Sequence, residues 1–598
     1  MSIGRLNQER TERVLPETIR GPAELKALPL SELTRFADDV RRFLLAQVSR
    51  TGGHIGANLG TIELTLALHR VFDSPREPLV FDTGHQGYTH KIVTGRSALF
   101  PTLNRYRGLS RFLSSAESEH DPIEASHAGT SISIALGMAL ARRIQGDPAP
   151  VVAVIGDGSL AEGLALEALN HAAVARANLV LVLNDNGYAI SPGSGALHEA
   201  LHSGSERAGA FFRSLGLEYL GPVDGHDIGA LVQALERARR SGKLPIVHAR
   251  TVKGNRWTPA DAHPYRAHFS FPFDPLTGAV DPETQKPSYP DAVASVVLEE
   301  MERDERIACI TPSTIYATGL ARVFQRFPER SFDPGMEEQH ALTLAVGLAL
   351  GGLKPVVAYQ STFLQRAFDQ ILHDVCFTNR PLLVFAVRSG FAGYDNPTHH
   401  GIYDFAYLRG LPNLRLLYPK DRHEAERMTR DELRELDGPT VIFLPYGPAE
   451  EFDASVMLEE RGAFARPELV LPGNELLLLT VGNKYASARG AVETLRRREI
   501  DAGLVNLRIL KPLPEEALAE WIEPAARVVT LEEGVLEGGV GSAIASFVAD
   551  RGFACGVLRI GLPCAFVEAG SNAELCDLYG LDTKGVLAKI VARWPELA

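Results

Sequence analysis

The sequence predicts an α/β protein of three doubly wound domains, and three observations predict it. At 598 residues the chain is too long for one hydrophobic core, since domains run to roughly 150 residues each. Short apolar runs of strand length recur along it, closed by Gly, Asp or Asn and separated by stretches with helical spacing. Two breaks in composition, over 271–290 and 447–474, interrupt this alternation and divide the chain into 1–285, 286–460 and 461–598.

Taken in order, residues 31–45 place Leu33, Phe36, Val40, Phe43 and Leu44 at helical spacing behind Ser31, the expected N-cap. The glycine-rich turn Thr51-Gly52-Gly53-His54 ends that helix. Val151 to Ile155 and Leu179 to Leu183 are strand-like, with a helical pattern between them, which makes a βαβ unit with polar turns at its strand ends. The stretch from Phe271 to Pro290 carries five prolines and little periodicity, so the first boundary falls there. A second α/β pattern runs through strands Pro355 to Tyr359 and Leu382 to Val387 until acidic, proline-containing sequence interrupts it. The remainder alternates strands such as Leu476 to Val481 and Arg527 to Leu531 with helices, ending on a helix near Lys589.

Hydrophobic residues at 45% and charged residues at 23% match soluble globular proteins, so each domain has the material for a core. A formal charge of −13 repels phosphate backbones and anionic membranes, which argues against nucleic acid as a partner. No apolar run reaches the ~18 residues of a membrane helix, and Met1 to Leu25 is polar, so a cytoplasmic protein without a membrane partner is expected. The five cysteines form no C-x-x-C pair and are expected to be buried thiols.

Chemistry enters at Gly156-Asp157-Gly158-Ser159, which follows a strand and opens a helix. Free backbone N–H groups and the helix dipole favour a diphosphate there. Asn184-Asp185-Asn186 ends the next strand, 29 residues on from Asp157 to Asn186, so a carboxylate and an amide oxygen converge at adjacent strand ends. Hard oxygen ligands bridged by phosphate oxygens describe a magnesium–diphosphate site.

This G-D-G followed by Asn resembles the signature of thiamine-diphosphate enzymes. The stretches GGHIGANLGTIELTLALHRVFDSP, VFDTGHQGYTHKIVTGR, SHAGTSISIALGMA, GPVDGHD, EEQHA, STFLQRAFDQ and GLPCAFVEAGS extend the likeness along nearly the whole chain. Together they resemble the 1-deoxy-D-xylulose-5-phosphate synthase family of transketolase-type enzymes. The resemblance implies three α/β domains of the transketolase type: a diphosphate (PP) binding domain over 1–285, a pyrimidine-binding domain over 286–460 and a C-terminal transketolase domain over 461–598. It also implies a homodimer in which one subunit supplies both halves of the site, with thiamine diphosphate and Mg2+ as cofactors. The implied reaction, in isoprenoid biosynthesis, decarboxylates pyruvate and transfers the two-carbon unit to an aldehyde acceptor, glyceraldehyde 3-phosphate, giving 1-deoxy-D-xylulose 5-phosphate and CO2.

Residue by residue, the resemblance makes Glu338 in EEQHA the acid against the aminopyrimidine, because protonating that ring lets its imino tautomer deprotonate the thiazolium carbon. Phe363 in STFLQ corresponds to the aromatic that stacks on the pyrimidine. Diphosphate contacts fall to His85, Ser126, His127, Ala128, Gly158, Ser159 and Lys253. Trp257 stands at a family tyrosine position, offering an indole donor in place of a hydroxyl. Magnesium falls to Asp157, the Asn186 side chain and the Tyr188 backbone carbonyl. His54, His268 and His399 match positions that face the substrate and move protons near neutral pH. Arg366 and Arg388 match residues that meet anionic groups of the substrate, and Asp395 an acid near the acceptor hydroxyls.

Four features depart from the family pattern. Val387 and Gln360 replace the Asp and Tyr of two motifs, and Tyr446 replaces an arginine for the acceptor phosphate. The segment Ser191 to Leu215 is shortened, which predicts a less covered site. Three readings stand at this point: the family reaction with an adjusted phosphate site, a paralogue running the same chemistry on a different aldehyde or ketoacid, an unphosphorylated acceptor among them, or an inactive cofactor-binding partner.

Overall fold

A computed structural model describes residues 14–203, 205–263, 265–284, 286–452 and 466–598. Gln285 and the expected boundary at 460/461 lie outside the described residues. The chain forms two compact units, one of residues 1–104 and 108–281, the other of residues 105–107 and 282–598.

The first unit is built on strands β1 (Leu79–Phe81), β2 (Val151–Gly156), β3 (Leu179–Asp185), β4 (Glu218–Asp224) and β5 (Pro245–Arg250), in the order β1-β2-β3-β5-β4 with every pair parallel. Strands β2 and β3 are buried almost throughout, as continuous apolar runs are when helices cover both faces of a parallel sheet. Their register sets Gly156 beside Asn184, so the turns after both strands open side by side at the carboxyl edge, where open α/β sheets bind ligands.

In the second unit, strands β6 (Ile307–Ile310), β7 (Ser331–Phe332), β8 (Lys354–Gln360), β9 (Leu382–Ser389), β10 (Arg415–Leu417) and β11 (Pro439–Pro445) precede β12 (Glu468–Leu471), β13 (Leu476–Thr480), β14 (Ala502–Asn506), β15 (Ile509–Lys511), β16 (Arg527–Val535) and β17 (Gly556–Leu562). They make a seven-stranded sheet, β15-β10-β11-β9-β8-β6-β7, and a five-stranded one, β12-β14-β13-β16-β17. Only β15 and β12 run antiparallel to their neighbours. Strand β15 comes from late in the chain yet closes the edge of the earlier sheet. One apolar cluster, including Val357, Val384, Leu477, Val528 and Ile544, spans both sheets.

Two expectations need correction. The first long helix runs Leu30–Thr51 and Ser31 lies inside it; Pro29 is the N-cap, its φ of −61° already set for the turn. Among the cysteines only Cys309 and Cys376 are buried; Cys555 and Cys564, which flank the edge strand β17, are half-buried and exposed, and Cys576 is half-buried on helix Asn572–Tyr579. Segment 191–215 packs on the sheet of the first unit. Its helices, Gly195–His202 and Ser205–Ser214, bury Leu201, Ala208 and Phe212 in the sheet's core.

Candidate active site

In the first unit, the turn after β2 puts Asp157 at the first position of a short helix, Asp157–Leu160, with its side chain buried. One carboxylate oxygen accepts the Asn186 N–H at 3.3 Å and the other the Gly187 N–H at 3.1 Å, which ties the two strand-end turns together. Gly158 is needed for that approach, since a Cβ there would lie 2.7 Å from the Ala189 Cβ. The Asn186 Oδ1 accepts the Tyr188 N–H at 3.0 Å and keeps a second lone pair free for an ion. Burial, with the Asp185 carboxylate alongside, pushes Asp157 up to about 7. Burial also brings Lys253, whose Nζ donates to the Ala189 carbonyl at 2.7 Å, down to about 7, with Asp157 opposing that fall. A buried carboxylate held short of its charge, an amide oxygen and a buried amine fit a divalent cation and a diphosphate, which would restore ionisation to both groups.

In the same unit three of the expected histidines gather. The rings of His54, His85 and His268 lie 5.0–5.5 Å apart, centroid to centroid. Burial depresses His85 to about 3 and His268 well below the usual range, so both are neutral imidazoles at pH 7. Asn58 places two of them, donating to the carbonyls of His54 and His85 at 2.8 Å and accepting the Tyr88 N–H at 2.7 Å. The turn Ser126-His127-Ala128 is anchored just beyond its end, where the Asp82 carboxylate accepts N–H groups of Gly129 (2.9 Å) and Ser131 (3.0 Å). Ser159 is buried beside Asp157. Trp257 departs from expectation: its indole N–H donates to the Pro275 carbonyl at 2.8 Å and its ring packs on Phe273 in the core, so that donor is already engaged within the protein.

In the second unit, Glu338 is the first residue of helix Glu338–Leu350 and its side chain is buried. The Arg366 Nε lies 3.9 Å from Glu338 Oε2, and the buried Tyr359 hydroxyl donates to the Glu338 carbonyl at 2.9 Å. Phe363 stands half-buried on helix Ser361–Leu364, outside the core clusters, with its ring edge-to-face with His399 at 5.8 Å. Arg388, with a left-handed φ of 65°, donates to Asp395 at 2.9 Å and lies over the Tyr446 ring, 5.1 Å from its centroid. Gln360 and Val387 are buried at the ends of β8 and β9.

Comparison with known proteins then decides the family. The family model described as 1-deoxy-D-xylulose-5-phosphate synthase matches residues 16–209 and 204–251. The transketolase pyrimidine binding domain matches 285–448 and the transketolase C-terminal domain 467–586. A protein of Thioalkalivibrio sulfidiphilus named 1-deoxy-D-xylulose-5-phosphate synthase is 42% identical over 96% of this chain and 94% of its own. The chain belongs to the 1-deoxy-D-xylulose-5-phosphate synthase family. A second relative of that name, from Geobacillus thermodenitrificans, is 40% identical over 97% of this chain and 98% of its own. Among solved structures, a transketolase from Campylobacter jejuni aligns at 17% identity over 94% of this chain and 100% of that one, with a TM-score of 0.45. The matched pyrimidine-binding and C-terminal transketolase domains, with the parallel sheets described above, give the chain the α/β fold of transketolase type.

Two side chains beside Asp157 had no place in the sequence expectations. His198 and His202 stand on helix Gly195–His202, and His202 Nε2 lies 3.0 Å from the buried Asp185 Oδ1. Their signal was available as His-Glu-Ala-Leu-His, two imidazoles four residues apart on one helix face. Asn58 and Asp82 had no such signal, because each acts by accepting or donating to backbone that only the fold brings near.

Proposed function

We propose that the protein condenses pyruvate with glyceraldehyde 3-phosphate to give 1-deoxy-D-xylulose 5-phosphate and CO2, as a homodimer using thiamine diphosphate and Mg2+. The observation that carries this reading is the full-length similarity to relatives of that name, about 40% identical end to end. It favours this reaction over a different acceptor or an inactive partner, and the buried Glu338 supports a working centre.

When bound, thiamine diphosphate would supply a nucleophilic carbon and an electron sink. Asp157, the Asn186 side chain and the Tyr188 carbonyl would hold the magnesium. His85, Lys253, Ser159 and the 126–128 turn would hold the diphosphate. Glu338 keeps a proton at a carboxyl oxygen for the aminopyrimidine, and burial at 5% exposure keeps water from competing for it. Phe363 offers an aromatic face. His54, His268 and His399 face substrate oxygens, and burial holds His268 neutral, which suits it to hydrogen-bond them without carrying a charge. Arg388 meets the acceptor phosphate while Asp395 and the Tyr446 ring fix its direction.

The experiment is incubation of the purified protein with thiamine diphosphate, Mg2+, pyruvate and either glyceraldehyde 3-phosphate or glyceraldehyde. Released CO2 is followed and products are identified by mass. Deoxyxylulose phosphate formed with the higher kcat/KM is expected; CO2 release that yields product only with unphosphorylated aldehydes would overturn the reading.

A further inference from the structure

We propose that His198, His202 and Asp157 form a binding site for a divalent transition metal of the zinc class. The two histidines lie four apart on helix Gly195–His202, their ring centroids 4.2 Å apart. One ligand atom from each, with a carboxylate oxygen of Asp157, lies within 4.8 Å of the others. Three donors so grouped match the three protein ligands of an open zinc centre, water or another ligand taking the fourth position.

Hydrogen bonding prepares the rings. His202 Nδ1 lies 2.9 Å from the His198 carbonyl, so the ring donates that N–H to the backbone and leaves Nε2 to present its lone pair. That Nε2 sits 3.0 Å from the buried Asp185 Oδ1, which it can pair with only when the ring is protonated. Two acceptors so close call for a cation or a proton between or beside them. His198 Nδ1 is likewise buried without a hydrogen-bond partner, so the protein does not use up this ring's capacity. His202 is partly exposed, which gives an ion a way in.

Imidazole nitrogens select the metal. Magnesium prefers oxygen donors, whereas Zn2+, Co2+, Ni2+ and Cu2+ take nitrogen readily. Asp157 is also the carboxylate assigned to magnesium, so a zinc-class ion and magnesium with thiamine diphosphate compete for it. The site stands on this geometry alone and holds whatever substrate the enzyme uses.

The test is calorimetric titration of the full-length, cofactor-free protein with Zn2+, with Co2+ absorption as a second readout of nitrogen ligation. One Zn2+ per chain is expected. Affinity should fall roughly tenfold or more in His198→Ala and in His202→Ala and further in the double variant, each checked for folding by circular dichroism. His202→Gln, which keeps the helix end polar, should weaken zinc in the same way. Saturating Mg2+ and thiamine diphosphate should lower the wild-type zinc affinity. Zinc binding by the folded double variant equal to wild type, or no saturable binding by wild type, would overturn the proposal.

Discussion

In the proposed reaction a single proton at Glu338 switches the cofactor on, and burial of that side chain at the start of helix Glu338–Leu350 limits solvent access to it. Glu338→Gln keeps shape and hydrogen-bonding capacity but cannot supply that proton. Carboligation should therefore drop by roughly two to four orders of magnitude with thiamine diphosphate still bound, measured by steady-state rates beside a cofactor titration. Near-normal rates with cofactor bound would remove Glu338 from its role. At Tyr446 the lost arginine is answered differently from what the sequence suggested: the ring becomes a platform for Arg388, which Asp395 also grips. Tyr446→Ala removes a contact worth about 0.5–1 kcal/mol, so KM for glyceraldehyde 3-phosphate should rise roughly two- to fivefold while KM for pyruvate stays. Equal KM values in the two proteins would show that Asp395 alone orients the guanidinium. The Asp157–Asn186 pairing was legible, because strand-end spacing along one βαβ unit fixes it. The Arg388–Asp395–Tyr446 contact was not, because its last member comes from the end of a different strand.

At the scale of elements, the buried strands were legible to within one to a few residues, since an apolar run covered on both faces has a composition no other element shares. Helix ends were less so, as Ser31 shows, because a proline two residues earlier started the helix before the polar cap was reached. The join between elements was not legible at all. Asp404, opening helix Asp404–Leu408, accepts from Ser389 at 3.1 Å and from Ser361, so one buried carboxyl ties the ends of β8 and β9 to that helix. Burial pushes it up to about 7. The folded state therefore keeps a proton that the unfolded chain loses near 3.8, and this contribution to stability is whole below that pH. It falls as pH rises, by up to about 1.4 kcal/mol per unit, and is gone above about 7. Asp404→Asn cannot ionise, so between about pH 4 and pH 8 its stability should gain on the wild type's, read from denaturant midpoints. A difference that stays flat with pH would mean that the carboxyl is ionised throughout.

At the scale of the whole chain, length and the proline-rich stretch over 271–290 pointed to a division near residue 285, and the first compact unit closes at Asp281. What composition does not announce is that the rest forms one compact unit. Strand β15 leaves the last third of the chain to close the seven-stranded sheet beside β10, and a single apolar cluster runs from Val357 and Val384 to Val528 and Ile544. A strand exchanged across an expected boundary has no signature in composition, since three residues of edge strand read like any connection. The first unit meanwhile buries apolar clusters of its own, around Phe36 and Leu44, around Ile155 and Leu183, and around Leu68 and Val182. Cooperative unfolding follows shared cores, so the cofactor-free protein should melt in two calorimetric transitions, not three, with both sheets of the second unit lost together. Limited proteolysis within 271–287, where most side chains are exposed, should separate the two transitions into two fragments. A chain ending at residue 452 lacks β15 and the cluster members beyond it, and should keep the first transition while losing the second. A third transition in the intact protein, or a folded seven-stranded sheet in the shortened chain, would show that β15 and the shared cluster do not couple the two sheets.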